Sequence, residues 1–357
     1  MSDALRANLL SPVVLSFALG LAARLVRSEF SIPKEMYNGM SVYLLFALGL
    51  HGGVELARGS WDAMLLPVLA TLALGVLIPV ICYAALRRIG RFGIADAAGI
   101  AAHYGSVSAV TFIAAEQFLR RAGVPPEGFM PTLLTVLESP GIHVALGIGV
   151  FAIARAGGGE AAQPPVAARL AGAGILLGGD HAGDPATEGH ALDWRATLHE
   201  ILTARTMVLL VGGLVIGALF GETGWETISG FYDTGSPVFK GVLCLFLLEM
   251  GLLAGERLGD LRTVGGFLLA FGVTFPILAG SLGALAGTWA GLSVGGCTML
   301  ATMAASASYI AAPPAVRGML PQANPTYSLT LALVITFPFN LLVGIPLYFA
   351  IAQRLAT

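Results

Sequence analysis

Apolar runs of about 20 residues alternate along this chain with short polar breaks. That spacing suits helices crossing a bilayer core about 30 Å thick. It predicts ten spans, at roughly 8–26, 36–56, 63–86, 93–118, 129–154, 203–220, 236–256, 263–290, 293–318 and 327–352. One long polar segment interrupts the series, from Gly157 to Glu200. It is rich in Gly, Ala and Pro, then charged around Asp180-His181 and Glu188-Gly189-His190, and ends in a short amphipathic stretch, Leu192–Ile201. The predicted fold is therefore an all-α polytopic membrane protein in three segments: a five-span unit over 1–155, a linker loop over 156–202, and a second five-span unit over 203–357.

Two of the apolar runs carry polar residues where lipid would disfavour them. One reads Ala304-Ala305-Ser306-Ala307-Ser308-Tyr309-Ile310-Ala311-Ala312-Pro313-Pro314, the other His103-Tyr104-Gly105-Ser106-Val107-Ser108-Ala109-Val110-Thr111. Both hold Ser-x-Ser among small side chains. Small residues let helices approach closely in lipid. They also let a helix break, which frees backbone N–H and C=O groups as ligands. Paired interruptions in the two halves of a chain mark the binding site of a secondary transporter. A membrane serine can equally bond back to the carbonyl one turn earlier, so a packing role stays open for each.

The two halves repeat in order. Ala47-Leu48-Gly49-Leu50-His51-Gly52-Gly53-Val54-Glu55-Leu56 resembles Glu249-Met250-Gly251-Leu252-Leu253-Ala254-Gly255-Glu256-Arg257-Leu258. Gly75-Val76-Leu77-Ile78-Pro79 resembles Gly272-Val273-Thr274-Phe275-Pro276. Ser106-Val107-Ser108 pairs with Ser306-Ala307-Ser308, and Phe151-Ala152-Ile153-Ala154 recurs as Phe349-Ala350-Ile351-Ala352. Each half has an odd number of spans, so the second must enter the membrane upside down. That predicts two inverted five-helix repeats with interrupted helices at the site.

Composition agrees with a membrane location. Of 357 residues 56% are hydrophobic and 11% charged, with mean hydropathy +0.82, against about 25% charged in soluble domains. A soluble enzyme is excluded, and a net charge of −2 without a basic patch gives no sign of nucleic acid as a partner. With both termini outside, 13 of the 19 Lys and Arg fall on the inner side and six on the outer, the asymmetry expected of cytoplasmic loops. The N-terminus, MSDALRANLLSPVV, lacks a basic leader and cleavage site, so the first span reads as retained. Cys82, Cys244 and Cys297 lie far apart in apolar runs and match no metal spacing. No Gly-x-x-x-x-Gly-Lys-[Ser/Thr] motif points to nucleotide drive.

The candidate chemistry is sparse. Glu138 and Glu249 fall within spans and Glu116 nearer an end; carboxylates in lipid are costly and mark function by default. Each could instead be bonded structurally to a hydroxyl or N–H. Glu55 and Glu256 sit at span ends as interfacial groups. Glu138 precedes Ser139-Pro140, and Thr336, Pro338 and Asn340 occupy the matching part of the last span. His103 and His143 are candidates for proton handling or for structural bonds. His181 and His190, with Asp180 and Asp184, match no known metal spacing. No Arg or Lys falls in the middle of a span, so an anion would rely on helix N-termini and on a co-bound cation. The hydroxyls of Ser106, Ser108, Thr111, Ser306 and Ser308, with freed carbonyls, offer Na⁺ the oxygen ligands it prefers.

Four stretches together resemble the sodium-dependent bicarbonate transporter family: His51-Gly52-Gly53-Val54-Glu55-Leu56, Gly105-Ser106-Val107-Ser108-Ala109-Val110-Thr111-Phe112, Leu247-Leu248-Glu249-Met250-Gly251-Leu252-Leu253-Ala254-Gly255 and Ala305-Ser306-Ala307-Ser308-Tyr309-Ile310-Ala311-Ala312-Pro313. The resemblance implies a trimer in the plasma (inner) membrane that takes up bicarbonate by symport with Na⁺, without an organic cofactor and without enzymatic activity. It implies that spans three to five and eight to ten carry the substrate within a scaffold of spans one, two, six and seven. Anion binding is expected at Gly105, Ser106, Val107, Ala305, Ser306, Ala307 and Tyr309. Na⁺ is expected at Ser108, Thr111, Ser308, Glu138, Glu249, Thr336 and Asn340. A PII-like regulatory protein is expected on the cytoplasmic side. The alternatives are a Na⁺-coupled transporter of another small anion, a cation/proton antiporter using Glu138 or Glu249, an intramembrane enzyme, for which no nucleophile–base pair is placed by spacing, and a sensor signalling through the loop.

Overall fold

The computed structural model describes residues 3–59, 61–156 and 203–356, and every regular element among them is helical. The histidines and amphipathic stretch of the central loop lie outside the described residues. Seven stretches among the described residues are long and apolar enough to cross a membrane: Lys34–Arg58, Asp62–Arg88, Ile94–Arg121, Met130–Arg155, Arg205–Tyr232, Pro237–Trp289 and Pro325–Leu355. Pro237–Trp289, at 53 residues, would extend about 80 Å if straight. It turns instead through a tight 3₁₀ segment at Arg257–Asp260, which divides it into two helices. Two shorter apolar helices, Pro12–Leu25 and Val294–Ala304, complete the set.

In chain order the elements are α1 (Asp3–Leu9), α2 (Pro12–Leu25), α3 (Lys34–Arg58), α4 (Trp61–Arg88), α5 (Ile94–Gly105), α6 (Ala109–Arg121), α7 (Met130–Glu138), α8 (Pro140–Arg155), α9 (Arg205–Tyr232), α10 (Pro237–Glu256), α11 (Leu261–Trp289), α12 (Val294–Ala304), α13 (Ala312–Met319) and α14 (Pro325–Leu355).

Local chemistry explains where they start and stop. Ser11 and Ser236 cap α2 and α10, accepting the N–H of Val14 at 3.3 Å and of Phe239 at 3.1 Å. Pro12 and Pro237 then take the first helical position, where no N–H is needed. The predicted span 8–26 is thereby divided, because Ser11-Pro12 ends α1 and starts a new helix of 14 residues. The span predicted to end at 220 runs on to Tyr232 and is only kinked there: Gly221 adopts φ 60, ψ −150, a conformation open to glycine but strained for other residues.

The last span runs over Pro325–Leu355, as the predicted 327–352 requires. Pro338 does not break it. Wider π-helical turns at Leu331–Thr336 and Asn340–Gly344 flank Phe337–Phe339, and the helix continues. Such turns leave carbonyls without their usual partners. Asn8, from α1, donates its amide to the Leu341 carbonyl at 2.8 Å.

The helices sort into two bundles. In one, α2 packs on α10 and α3 on α9, with α10 also touching α3 and α9. The contacts are close enough that a Cβ on Gly20 would sit 1.9 Å from the Leu248 carbonyl oxygen, and one on Gly213 2.8 Å from Gly49 Cα. In the other bundle α4 packs on α5 and α8, and α11 on α12 and α14, with α5 against α8 and α12 against α14. α7 bridges the two, touching α3 and α9 as well as α4 and α8.

Contacts between helix ends form two sets. Arg24 pairs with Glu256 at 2.8 Å, Arg205 donates to Asn38 at 3.0 Å, and Asp96 accepts the N–H of Asn324 at 2.7 Å. In the second set, Arg58 pairs with Glu222 at 2.9 Å, Arg120 donates to Thr234 at 3.0 Å, and Glu127 accepts the N–H of Ser293 at 2.6 Å.

Candidate functional site

Both Ser-x-Ser stretches are breaks. α5 ends at Gly105; Ser106 and Ser108 are extended, and α6 starts at Ala109 with Ser108 Oγ capping the Thr111 N–H at 3.3 Å. α12 ends at Ala304, and α13 starts at Ala312 with proline in its first turn. Ser308 Oγ accepts the Ala311 N–H at 3.2 Å just ahead of it. Each break therefore presents one helix C-terminus and one helix N-terminus, the ends that favour cations and anions respectively.

The two breaks lie against each other. The Ser308 N–H donates to the His103 carbonyl at 2.8 Å, and His103 Nδ1 meets the Ser308 carbonyl at 2.6 Å. The Ser108 N–H donates to Ser306 Oγ at 2.9 Å, and Ser306 Oγ donates on to the Met303 carbonyl at 2.8 Å. Residues about two hundred apart in the chain are thus in direct contact, and Ser106, Val107, Ser108, Thr111, Ser306, Ala307 and Ser308 are all buried.

The last span of each half closes on the C-terminal end of its broken neighbour. In the first half Ser139 separates α7 from α8, and Gly141 abuts Gly105 so closely that a Cβ there would lie 1.9 Å from the Gly105 carbonyl oxygen. In the second half a side chain fills the same role: Asn340 donates to the Ala305 carbonyl at 2.8 Å and accepts from the Tyr348 hydroxyl at 2.9 Å. Thr336 is similarly engaged, donating to the Gly272 carbonyl at 2.9 Å and meeting the Tyr104 hydroxyl at 2.6 Å. The polar atoms of Asn340 and Thr336 thus hold neighbouring helices.

Other groups are left without partners. Glu138, the last residue of α7, is 5% exposed; its carboxylate lies near Thr206 of α9, and Oε2 has no partner. The Tyr309 hydroxyl is turned toward Ser108 without a hydrogen bond of normal geometry, and Ser106 Oγ is unpartnered. Glu138, Thr206, Ser108, Ser308 and Tyr309 line a pocket of about 20 Å³, room for one water-sized species. A larger cavity of about 270 Å³ shares Glu138 and Thr206 with it. That cavity runs between the bundles past Ile310, Pro314 and Ala315 to Arg205 at the start of α9.

Not every predicted residue gathers here. Glu249 stands on α10, beside the Ile32 backbone and the Tyr37 ring. Glu116 accepts from Arg120 Nε at 3.0 Å and from the Thr234 hydroxyl at 2.6 Å. His143 bonds locally to the Ser139 carbonyl at 2.8 Å. Glu55 pairs with Arg58 at 2.7 Å and Glu256 with Arg24 at 2.8 Å. Thr206, Tyr104, Tyr348 and Gly141 were not singled out from the sequence. Only Gly141 carried a signal, as a glycine directly after the Ser139-Pro140 pair.

A family model described as the Na⁺-dependent bicarbonate transporter superfamily matches residues 12–353. The chain belongs to that superfamily. Among curated proteins none matches it. Membership places the chain with membrane transporters rather than enzymes. The donors at the breaks suit the ion in the superfamily's name: among the described residues no three His, Cys, Asp or Glu come together, and the residues lining the pocket bring hydroxyls and one carboxylate. An all-oxygen set of this kind suits a hard cation rather than a thiophilic metal.

Proposed function

We propose that the protein carries bicarbonate into the cell together with Na⁺, by exposing the paired breaks to one side of the membrane at a time. The observation that carries this reading is the meeting of two broken helices at a small polar pocket, with a larger cavity adjoining it at Glu138 and Thr206. Na⁺ would sit among Ser108, Ser308 and the Glu138 carboxylate, beside Thr111. The anion would lie against the breaks at Gly105–Val107 and Ala305–Ala307 and the Tyr309 hydroxyl, near the N-termini of α6 and α13. Thr336 and Asn340 act as supports, and Glu249 belongs to the scaffold.

The paired packing supports ten crossings in two inverted repeats. α2 on α10 is the counterpart of α3 on α9, and α4 on α5 that of α11 on α12. The two sets of end contacts agree with both termini outside and Arg205 at the cytoplasmic face. On that assignment the 270 Å³ cavity opens inward, while Glu116, Gln117 and Arg120 bond to Thr234 across the bundles on the outer side. The resemblance further implies a trimer in the inner membrane and a PII-like regulatory protein on the cytoplasmic side.

The test is uptake of labelled bicarbonate into vesicles containing the purified protein, with protein-free vesicles subtracted for passive entry of CO₂. An inward Na⁺ gradient should drive accumulation and an equal K⁺ gradient should not; equal uptake in both would refute the coupling. A proton antiporter is favoured by one specific feature, the unpartnered Glu138 Oε2, and transport that follows a pH gradient and ignores Na⁺ would establish it instead.

A further inference from the structure

Glu138 faces two spaces at once. It lines the 20 Å³ pocket beside Ser108 and Ser308, and it lines the inner end of the 270 Å³ cavity. Arg205 lines that same cavity, at the beginning of α9. An anion moving along the cavity therefore meets a positive charge first and a buried carboxylate last. Like charges close together in a partly desolvated site repel strongly, and an unpaired buried carboxylate is itself unfavourable. A cation in the small pocket would touch Glu138 from the other side and relieve both penalties.

We infer that Glu138 is a charge gate that makes anion binding conditional on Na⁺, because its carboxylate closes the anion's path until a cation neutralises it from the adjoining pocket. This rests on the transport reading above and adds an order to it: Na⁺ binds before bicarbonate. Linkage is reciprocal, so bound bicarbonate holds Na⁺ more tightly by the same factor. At the inner face the sequence runs backwards. Once Na⁺ leaves, the bare carboxylate disfavours the bound anion and weakens its hold. The coupling needs no ligand shared between the two substrates.

The experiment measures binding of labelled bicarbonate to the purified full-length protein in sealed vials, as NaCl is replaced by KCl. Wild type should bind at least tenfold more tightly in NaCl. Glu138→Gln should bind bicarbonate in KCl at least threefold more tightly than wild type does in KCl, and its Na⁺ dependence should shrink. Glu138→Asp, which keeps the charge, should retain the wild-type dependence. Loss of a Na⁺ ligand alone would leave binding in KCl at the wild-type level, and that result overturns the gate. So does a Gln variant with wild-type melting temperature that binds bicarbonate in neither salt, since Glu138 would then be the anion's own ligand. Glu138→Ala, with the same expected sign, serves if the Gln variant does not fold. Wild type that binds no bicarbonate in either salt would sink the transport reading itself; Na⁺-dependent wild-type binding matched by Glu138→Gln sinks only the gate.

Discussion

His103 and Ser308 are bound to each other twice, backbone N–H to backbone carbonyl at 2.8 Å and imidazole Nδ1 to backbone carbonyl at 2.6 Å. The carbonyl can only accept, so Nδ1 carries a proton. The pair ties the last turn of α5 to the break after α12, which fixes the register in which the two Ser-x-Ser segments face each other. His103→Ala would leave the Ser308 carbonyl without its side-chain donor, at about 1–3 kcal/mol. We expect a lower melting temperature and reduced bicarbonate uptake. Wild-type values for both would show that the breaks are held by other means.

Ser108→Ala and Ser308→Ala should each raise the Na⁺ concentration needed for half-maximal uptake. Losing one bond to a charged group costs about 1.5–3 kcal/mol, roughly tenfold or more in affinity. Both serines also cap nearby N–H groups, so some stability will be lost too. Ser306→Ala separates the effects: its hydroxyl is occupied by Ser108 N–H and the Met303 carbonyl, and stability should fall more than Na⁺ affinity. Unchanged Na⁺ dependence in the Ser108 and Ser308 variants would make them packing residues.

Replacing Glu138 and Glu249 together by Gln should leave measurable Na⁺-driven bicarbonate uptake, with looser coupling. A carrier that moves its proton on either carboxylate would lose exchange completely. Vesicles with a Na⁺ gradient or a pH gradient, compared for wild type and the double variant, decide between the two.

Thr234 joins the bundles on the side opposite the large cavity, through Glu116 and Arg120. Thr234→Val removes both side-chain bonds. Since bonds to charged groups contribute about 1.5–3 kcal/mol each, the population should move toward a form open on that side. Labelling of a cysteine placed at Val107, with Cys82, Cys244 and Cys297 replaced, should then speed up from the outside. No change in labelling rate would show that Thr234 does not hold that side closed.

Gly141 and Gly212 offer opposite controls on packing. Gly141→Ala would push its Cβ to 1.9 Å from the Gly105 carbonyl oxygen, and Gly212→Ala meets nothing within 4 Å. The first should abolish monodisperse protein in gel filtration, and the second should be silent. A well-folded Gly141→Ala protein would mean that the α5–α8 contact can open.

The sequence was most informative where structure follows from local chemistry. The apolar runs located the helices, and the Ser-x-Ser doublets located both breaks; the end read at 220 marks the kink at Gly221, beyond which the helix continues to Tyr232. Hydropathy windows averaged over Ser11-Pro12 and so merged α1 with α2, although the capping signal was present. The π-helical turns of the last span were not legible, because the partner for its Leu341 carbonyl comes from Asn8, more than three hundred residues away. Thr336 and Asn340 read as ligands for the same reason: the Tyr104, Gly272 and Ala305 groups that occupy them are remote in sequence. Thr206 met Glu138 only through the packing of α9 beside α7, which no local pattern encodes.

The bundles carry a consequence for synthesis. Neither is built from one half of the chain: α2 and α3 find their main partners in α10 and α9, and α4 packs on α11. A ribosome inserting the protein from its N-terminus must leave Gly20 without its neighbour Gly251 until some 230 further residues have followed, roughly 10–50 s at about 5–20 residues per second. During that interval the first half exposes glycine-lined grooves to lipid, open to the wrong neighbours. Two chains divided within 156–202 should accordingly accumulate only when both are produced in the same membrane, each serving as the other's folding partner.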